Sequence, residues 1–367
     1  MWSCCRNDAD SASETGVKKA GQSGFRGSNQ PNTMVQAQKE YNSAYAGNGN
    51  PANVNYSFTQ SNMNSGQMIT TSLQMNSSNP QFAQKDVAPA TGSGVQRVER
   101  MTPLSEDAKR TLASMPPFDK SKGPVSYSQV IQGPYLYPDG ATYKGEFNGG
   151  RREGYGVQVW PDGSQYEGFW QHDKHHYFGR LIHSDGDCFE GEWRENMAHG
   201  KGRYRRPNGV EYNGDWLADL QHGIGIEIDP TSGTRYEGSF LHGKKQGQGV
   251  ATFSNGHRYT GEFQDNMMHG KGEYTWSDGR VYVGAFSRNK MEGEGRFKWP
   301  TGMEYFGAFV NDRKEGFGTL SWPDGSKYVG NFLDGKQEGD GTLFDSRGAK
   351  TVGVWRKGEL ISTKPGY

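Results

Sequence analysis

From about residue 141 onward, aromatic and glycine positions alternate with polar positions in a pattern that repeats every 23 residues. Each copy begins with Tyr-x-Gly-x-Phe/Trp, or Phe-x-Gly-x-Trp in one copy. In all but one copy, glycines follow eleven and thirteen residues after the leading aromatic residue as Gly-x-Gly. This alternation is typical of β-strands, whose successive side chains point to opposite faces of a sheet. Self-similarity at a fixed period predicts a linear repeat architecture rather than a globular enzyme fold.

Each copy also contains the signals of a β-hairpin. A polar loop follows the first strand, Gly-x-Gly leads a second strand, and Pro-Asp-Gly or a similar sequence supplies a tight turn. We therefore predict an all-β fold, an elongated single-sheet meander of stacked antiparallel hairpins, with half repeats at Gly133–Gly140 and Gly353–Trp355. At ~4.8 Å per strand this array would be a rod on the order of 90 Å long. We number the copies 1 to 9 by their leading aromatic residues, Tyr143, Tyr166, Phe189, Tyr212, Tyr236, Tyr259, Tyr282, Tyr305 and Tyr328.

The repeated aromatic residues are predicted to form the core of the array on one face of the sheet. Glycine within a strand normally weakens it, so here the glycines are expected to leave room for neighbouring rings to lie across the strands. The residues assigned to this repeat core are Tyr143, Gly145, Phe147, Trp160, Tyr259, Gly261, Phe263, Trp276, Tyr282, Phe286, Trp299, Tyr305, Phe309, Trp322, Tyr328 and Phe332.

The N-terminal part of the chain has a different composition. It is rich in Ser, Asn, Gln and Gly and offers little apolar surface, which predicts a disordered arm. A short amphipathic helix is predicted next, with Pro103 as its first residue. This helix either closes the open end of the array or docks a partner. The predicted organisation is an arm (1–100), the helix or cap (101–117), the repeat array (125–358) and a C-terminal tail (359–367).

Bulk composition excludes several classes of protein. The 41 basic and 41 acidic residues give no net field to attract nucleic acid. No apolar run approaches the ~20 residues of a membrane helix, and no secretory signal is visible. The three cysteines cannot form a disulfide framework, which indicates a reducing compartment.

The motif resembles the MORN repeat (membrane occupation and recognition nexus). The resemblance covers residues 133–358 and rests on nine copies in register. It implies a twisted rod of hairpins that serves as an interaction surface, as found in scaffolds at membrane–cytoskeleton junctions, in ciliary components, and as appendages of lipid kinases or methyltransferases.

Copies 2 to 4 depart from the pattern. Their second-strand aromatic is replaced by His183, Arg206 and Asp229, and Tyr177 stands in place of the first glycine of Gly-x-Gly in copy 2. Two interpretations stay open: drift in a tolerant array, or a bend or partner-specific patch in these copies.

Two columns of loop residues are candidates for chemistry. One contains histidines and glutamates at the tenth position after the leading aromatic, but equivalent positions lie near 10 Å apart, too far to share one zinc ion. The other is basic and could contact anionic lipid headgroups or an acidic partner. It consists of Arg151, Lys174, Lys244, Lys290, Arg313 and Lys336.

Neither catalysis nor cofactor binding is predicted. Gly-x-Gly opens no helix that could hold a phosphate, and no nucleophile–base pair is recognisable. At the N-terminus, Cys4 and Cys5 are candidates for S-acylation, whereas Trp2 excludes myristoylation.

The sequence thus predicts a non-catalytic scaffold whose aromatic face or loop edge binds protein partners. It is expected to be cytoplasmic and to act at the cytoskeleton, a cilium or flagellum, or the cytoplasmic face of a membrane. Self-association is a further expectation, because sheet edges and aromatic faces favour it. The alternative is a phosphoinositide-binding regulatory module that resembles the repeat region of phosphatidylinositol phosphate kinases. No nucleic acid, metal or small-molecule substrate is expected.

Overall fold

The structure, a computed structural model, describes residues 95–124 and 130–364. These residues contain one α-helix, α1 (Glu106–Ala113), a 3-10 turn at Lys120–Lys122, and a single 22-stranded antiparallel sheet. The predicted all-β meander of hairpins is therefore confirmed. The strands are β1 (Gln96–Arg97), β2 (Gln132–Leu136), β3 (Thr142–Asn148), β4 (Arg151–Val159), β5 (Gln165–Gln171), β6 (Lys174–Ile182), β7 (Cys188–Arg194), β8 (Met197–Arg205), β9 (Glu211–Leu217), β10 (Leu220–Asp229), β11 (Thr234–Leu241), β12 (Lys244–Thr252), β13 (Arg258–Gln264), β14 (Met267–Thr275), β15 (Val281–Ser287), β16 (Lys290–Lys298), β17 (Glu304–Val310), β18 (Arg313–Ser321), β19 (Lys327–Leu333), β20 (Lys336–Phe344), β21 (Lys350–Arg356) and β22 (Glu359–Thr363).

Each strand pairs with the strands before and after it in the chain. Within copy 8, for example, Tyr305 lies opposite Leu320, and Leu320 lies opposite Tyr328 of copy 9 on the other side. Two short strands at the ends extend the sheet beyond the predicted limits. Gln96–Arg97, assigned to the arm, pairs with β2, and Glu359–Thr363, assigned to the tail, pairs with β21.

The aromatic residues of the leading motif form one continuous row on one side of the sheet, which we call the ring face. In copy 8, the Tyr305 ring meets Phe309 edge to face at 5.2 Å and Phe332 of the next copy at 4.9 Å. Such geometry is favourable for aromatic pairs. The same two contacts recur from Tyr143 to Trp355 with ring centroids 4.9–5.5 Å apart.

The glycines have two separate roles, where the sequence suggested one. A Cβ on Gly307 or Gly318 would lie 2.5 or 2.6 Å from the Tyr305 hydroxyl, because the ring lies across both residues. The Tyr305 hydroxyl then donates a 3.0 Å hydrogen bond to the Ala308 carbonyl. By contrast, the first glycine of Gly-x-Gly, such as Gly316, has a φ of +65°, a conformation that L-residues avoid, at a point where the strand register shifts.

Hydrogen bonds between the loops join each copy to the next. In copy 7, Met291 N donates to the Asp312 side chain of copy 8 at 2.8 Å, and Asp312 N donates back to the Met291 carbonyl at 3.1 Å. The same reciprocal pair links Met268 with Asn289 and Ala198 with Asp219. These bonds connect residues 21 positions apart, so the loops on this side form a ladder along the array.

Helix α1 is shorter than predicted and lies elsewhere. It begins at Glu106 with Ser105 as the N-cap, whose hydroxyl accepts from Ala108 N at 3.0 Å, so Pro103 precedes the helix. It does not close an end of the array. Ala108 and Leu112 of the helix pack against Ile182 and Cys188 of copies 2 and 3, together with Leu104 and Met115, which flank the helix.

Candidate partner-binding surface

The ring face is buried and is not available to a partner. Tyr143, Tyr259, Tyr282, Tyr305 and Tyr328 each have 0% exposure. The predicted aromatic docking face is therefore wrong in this respect, because the rings pack on one another. Of the other assigned core residues, Phe263, Phe286, Phe309, Phe332 and Trp276 are buried with Gly145 and Gly261, whereas Phe147, Trp160, Trp299 and Trp322 are half-buried.

The opposite side of the sheet, which we call the open face, carries the residues that alternate with the rings. In copies 1 and 2 this face is covered by the segment that follows α1. The Phe118 ring lies 6.0 Å from Tyr155, 6.2 Å from Phe169 and 5.8 Å from Phe178. Arg180, whose side chain is 2% exposed, donates to the Pro116 carbonyl at 3.0 Å.

Charged side chains also contribute to this intramolecular contact. The Arg180 guanidinium also bonds Glu190 at 2.6 Å, so the buried cation is paired. Lys120 Nζ stands 3.8 Å above the Tyr155 ring, and Lys122 Nζ stands 4.2 Å above Phe178. The open face of copies 1 and 2 therefore binds a peptide segment of its own chain through an aromatic anchor and two lysines.

Helix α1 and its N-cap partly explain why copies 2 to 4 depart from the repeat pattern. Ser105 Oγ donates to the Ser184 carbonyl at 2.8 Å, and Thr111 Oγ1 donates to the Gly186 carbonyl at 2.9 Å, in the turn that contains His183. Helix α1 thus occupies the side of copy 2 where the turn aromatic is missing. Tyr177 retains the backbone conformation of the glycine it replaces, with a φ of +59°.

Toward the C-terminus the open face is uncovered in the described part of the chain. Val283 is 47% exposed, Phe306 46% and Phe317 65%. Phe317 occupies the same repeat position as Tyr155 and Phe178, the x of the Gly-x-Gly motif. Large apolar side chains that cluster on a surface in this way mark interaction sites.

The basic column predicted from the sequence is largely neutralised by the following copy. Lys174 pairs with Glu195 at 2.6 Å and Lys244 with Asp265 at 2.7 Å, and Arg313 is paired with Asp334. Lys290 donates to the Asn311 side chain at 2.9 Å. Only Arg151 and Lys336 of this column have neither a carboxylate nor an amide partner among the described residues. The column is therefore a poor row of free cations for lipid headgroups.

The glutamates and histidines of the other column accept hydrogen bonds from the loop of the next copy. Glu292 accepts from Asn311 N at 3.0 Å, and Glu338 accepts from Lys357 N at 2.8 Å. His176 accepts through Nδ1 from Glu195 N at 3.4 Å. Burial lowers the pKa values of His176 and His199, so both rings are neutral at pH 7.

The cysteines differ in their surroundings. Cys188 is 2% exposed, its Sγ lies 3.5 Å from Met115 Sδ, and burial raises the pKa of its thiol to about 12. Cys4 and Cys5 lie outside the described residues. Within residues 95–124 and 130–364, no helix is long and apolar enough to span a membrane, and no group of His, Cys, Asp or Glu is arranged to hold a metal ion.

Comparison with known families gives one specific match. The family model described as MORN repeat matches nine consecutive segments, residues 143–165, 166–188, 189–211, 212–234, 236–258, 259–279, 282–304, 305–327 and 328–349. A search of curated proteins found no matching sequence.

Solved structures are similar only at a distance. The TCP10 domain of Danio rerio CPAP, in complex with a peptide of Danio rerio STIL, is 13% identical with a TM-score of 0.36, and the match covers 65% of this chain and 99% of that chain. The TCP domain of Drosophila melanogaster SAS-4, in complex with a proline-rich motif of Ana2, is 14% identical with a TM-score of 0.19, covering 54% and 83%. Neither similarity is close enough to inform function.

Proposed function

Because the chain belongs to the MORN repeat family, we propose that it is a non-catalytic scaffold whose repeat array organises protein partners at a membrane–cytoskeleton junction or in a cilium. Repeats of this family serve protein interaction or membrane association and are in general non-catalytic. The nine paired copies supply a long continuous sheet in which each copy is fixed to its neighbours by the strand pairing, the ring contacts and the loop ladder.

The observation that supports protein binding is the contrast between the two ends of the open face. At copies 1 and 2 this face already binds a peptide, since Phe118 packs among three aromatic rings and Arg180 bonds the Pro116 carbonyl. At copies 7 and 8, Val283, Phe306 and Phe317 remain 46–65% exposed. A surface with this composition is suited to a protein partner.

The alternative, a phosphoinositide-binding module, has less support. It depends on the basic column, and four of the six members of that column bond a carboxylate or an amide oxygen of the next copy. Paired cations have little attraction left for anionic headgroups. Acylation of Cys4 and Cys5 would supply a membrane tether that does not involve the repeats.

Proximity labelling in the native cell tests the scaffold function. The intact protein is compared with Tyr305→Ala/Phe309→Ala, which breaks the ring row of copy 8, and with Cys4→Ser/Cys5→Ser. We expect cytoskeletal, ciliary or membrane-cortex proteins as neighbours, and their loss when the ring row is broken. A neighbour set that is indifferent to the broken array would refute the proposal. Neighbours lost only with the cysteines would assign localisation to the arm.

Vesicle binding tests the alternative function. Binding of the full chain to phosphatidylcholine vesicles is compared with and without a phosphatidylinositol phosphate. We expect no difference, because the basic column is paired. A strong dependence on the phosphoinositide that is lost in Lys174→Ala/Lys244→Ala would favour the lipid module.

A further inference from the structure

The C-terminal part of the open face combines an apolar row with an adjacent basic row. Paired positions of consecutive strands place the apolar row across β15 to β21, and Arg296 and two threonines lie between its apolar members. In order, this row is Val283, Arg296, Phe306, Thr319, Val329, Thr342 and Val352. Phe317 stands beside it on β18 at 65% exposure. We call these residues the C-terminal apolar row.

The adjacent row on the turn side of the same face is cationic. Lys298 shares Glu304 with Arg296, at 3.5 and 3.4 Å respectively. Lys327 and Lys350 stand over the Phe344 ring at 5.0 and 5.7 Å. Neither of these two lysines has a carboxylate within ion-pair distance among the described residues. Three lysines therefore face a single carboxylate on this row, whereas Lys174 and Lys244 of the loop column each have a carboxylate of their own.

At the N-terminal end of the same face, the equivalent rows bind a helix and the segment that follows it. There, α1 covers the row that contains Ile182 and Cys188, and the segment after α1 places Phe118 beside Phe178. Ile182 and Cys188 pair across strands as Lys298 and Glu304 do in copies 7 and 8. The row that α1 contacts at copies 2 and 3 is thus apolar, and the equivalent row at copies 7 to 9 is cationic.

From this correspondence we infer that the C-terminal open face binds an acidic amphipathic segment of a protein partner. Apolar side chains of the segment pack on Phe306, Phe317 and the valines, and its carboxylates face Lys298, Lys327 and Lys350. Arg296 has the repeat position of Arg180, which bonds a peptide carbonyl in copy 2, and its guanidinium stands 5.9 Å from the Phe306 ring. The inference rests on the proposed scaffold function and names the chemistry of one of its partners.

An anionic membrane is the less favoured occupant of this face. Carboxylates are interleaved with the cations, because Glu304 lies between Lys298 and Lys327 and Asp340 lies on β20 next to the apolar row, paired with Lys364 at 2.6 Å. These groups would face the headgroups of a bilayer and be repelled by them. A folded or extended segment can instead place its carboxylates opposite the lysines alone.

The test is selection from a displayed library of random peptides on the immobilised full chain. Four proteins are compared: wild type, Phe306→Ser/Phe317→Ser, Lys298→Glu/Lys327→Glu/Lys350→Glu, and Lys144→Glu as the control. Lys144 is an exposed lysine of the same face on β3 in copy 1, far in the strand order from β15 to β21. The replaced side chains are exposed, so the variants are expected to fold, which their melting temperatures verify.

Wild type and the control should enrich peptides that combine Leu, Phe or Trp with Asp and Glu. Affinity for a selected peptide should fall about 10- to 100-fold in the Phe variant, and the Lys→Glu variant should select basic peptides instead. Three outcomes overturn the inference: no enrichment, enrichment that both variants retain, or binding of phosphatidylserine vesicles that depends on the same residues without peptide selection.

The failure of this inference can be told apart from failure of the scaffold function. If the cellular neighbours require an intact ring row but are unchanged in Phe306→Ser/Phe317→Ser, the array is a scaffold that uses another surface. If the neighbours do not require the ring row, the scaffold function itself fails.

Discussion

Replacing Asp219 with asparagine should stabilise the protein at neutral pH and have less effect in acid. Asp219 lies in the loop of copy 4, where its Oδ1 accepts from Ala198 N at 2.6 Å. Burial raises the pKa of this carboxyl to about 6 from its usual 3.8. Asn196, Asn266 and Asn289 accept the same hydrogen bond in other copies. Asparagine at position 219 therefore keeps the bond and removes a charge that is costly to bury.

The sign and size of the effect follow from the linkage between protonation and folding. Because the folded-state pKa of Asp219 is raised, the folded state favours the protonated acid, and stability is lost as the pH rises from about 4 to about 6. At about 1.4 kcal/mol per pKa unit, the ionised carboxyl costs about 3 kcal/mol at pH 7.5 and about 1 kcal/mol at pH 4.5. Asp219→Asn should recover these amounts.

Thermal unfolding of the full chain at pH 7.5 and pH 4.5 measures the difference. At about 2–4 °C per kcal/mol, Asp219→Asn should raise the melting temperature by about 6–12 °C at pH 7.5 and by about 2–4 °C at pH 4.5. Asn289→Asp is the reverse control and should lower it at pH 7.5. An equal change at both pH values, or a lower melting temperature at pH 7.5, would refute the assignment of a buried, costly charge to Asp219.

Three further predictions concern the ring row, the strained backbone and the buried thiol. Tyr305→Ala with Phe309→Ala should cost about 3–5 kcal/mol per ring, and an unchanged melting temperature would rule out the ring row as the core. Tyr177→Gly should raise the melting temperature, because the left-handed backbone conformation of Tyr177 costs about 1–2 kcal/mol that glycine does not incur. A lower melting temperature would mean that the ring contacts of Tyr177 outweigh this strain. Cys188, buried with its thiol pKa raised to about 12, should react slowly with a thiol reagent at pH 8 and faster in Leu112→Asp, which loosens α1; equal rates would place the barrier elsewhere than under the helix.

The hairpins and their order could be predicted because the information is local. The two-residue spacing of Tyr305, Gly307 and Phe309 indicates a strand with these residues on one face. The turn residues mark where the next strand begins, and the same pattern recurs 23 positions later in the neighbouring copy. The two roles of glycine could not be separated in this way. Gly316 and Gly318 stand in one motif, but only the register shift between the paired strands gives Gly316 its positive φ.

The placement of α1 could not be predicted, because it depends on contacts between residues far apart in the chain. The apolar stripe of the helix indicated that one side would be buried, but not against what. Thr111 bonds the Gly186 carbonyl, 75 positions away, and Arg180 bonds Pro116 across 64 positions. The ion pairs of the basic column could not be predicted for a related reason, since the partner of Lys244 is Asp265 in the next copy.

A repeat array makes such non-local contacts visible once the fold is known, because every position has eight or nine equivalents. Phe178, Ile224 and Phe317 all occupy the x of Gly-x-Gly, a position where copies 3, 6 and 7 have Lys or Glu. Phe178 is explained by the Phe118 ring, 5.8 Å away in the same chain. Phe317, at 65% exposure, has no such cover in the described part of the chain. Since the equivalent strands form with Lys or Glu at this position, the sheet does not require an apolar residue there, and the contact of Phe317 is to be sought outside the array.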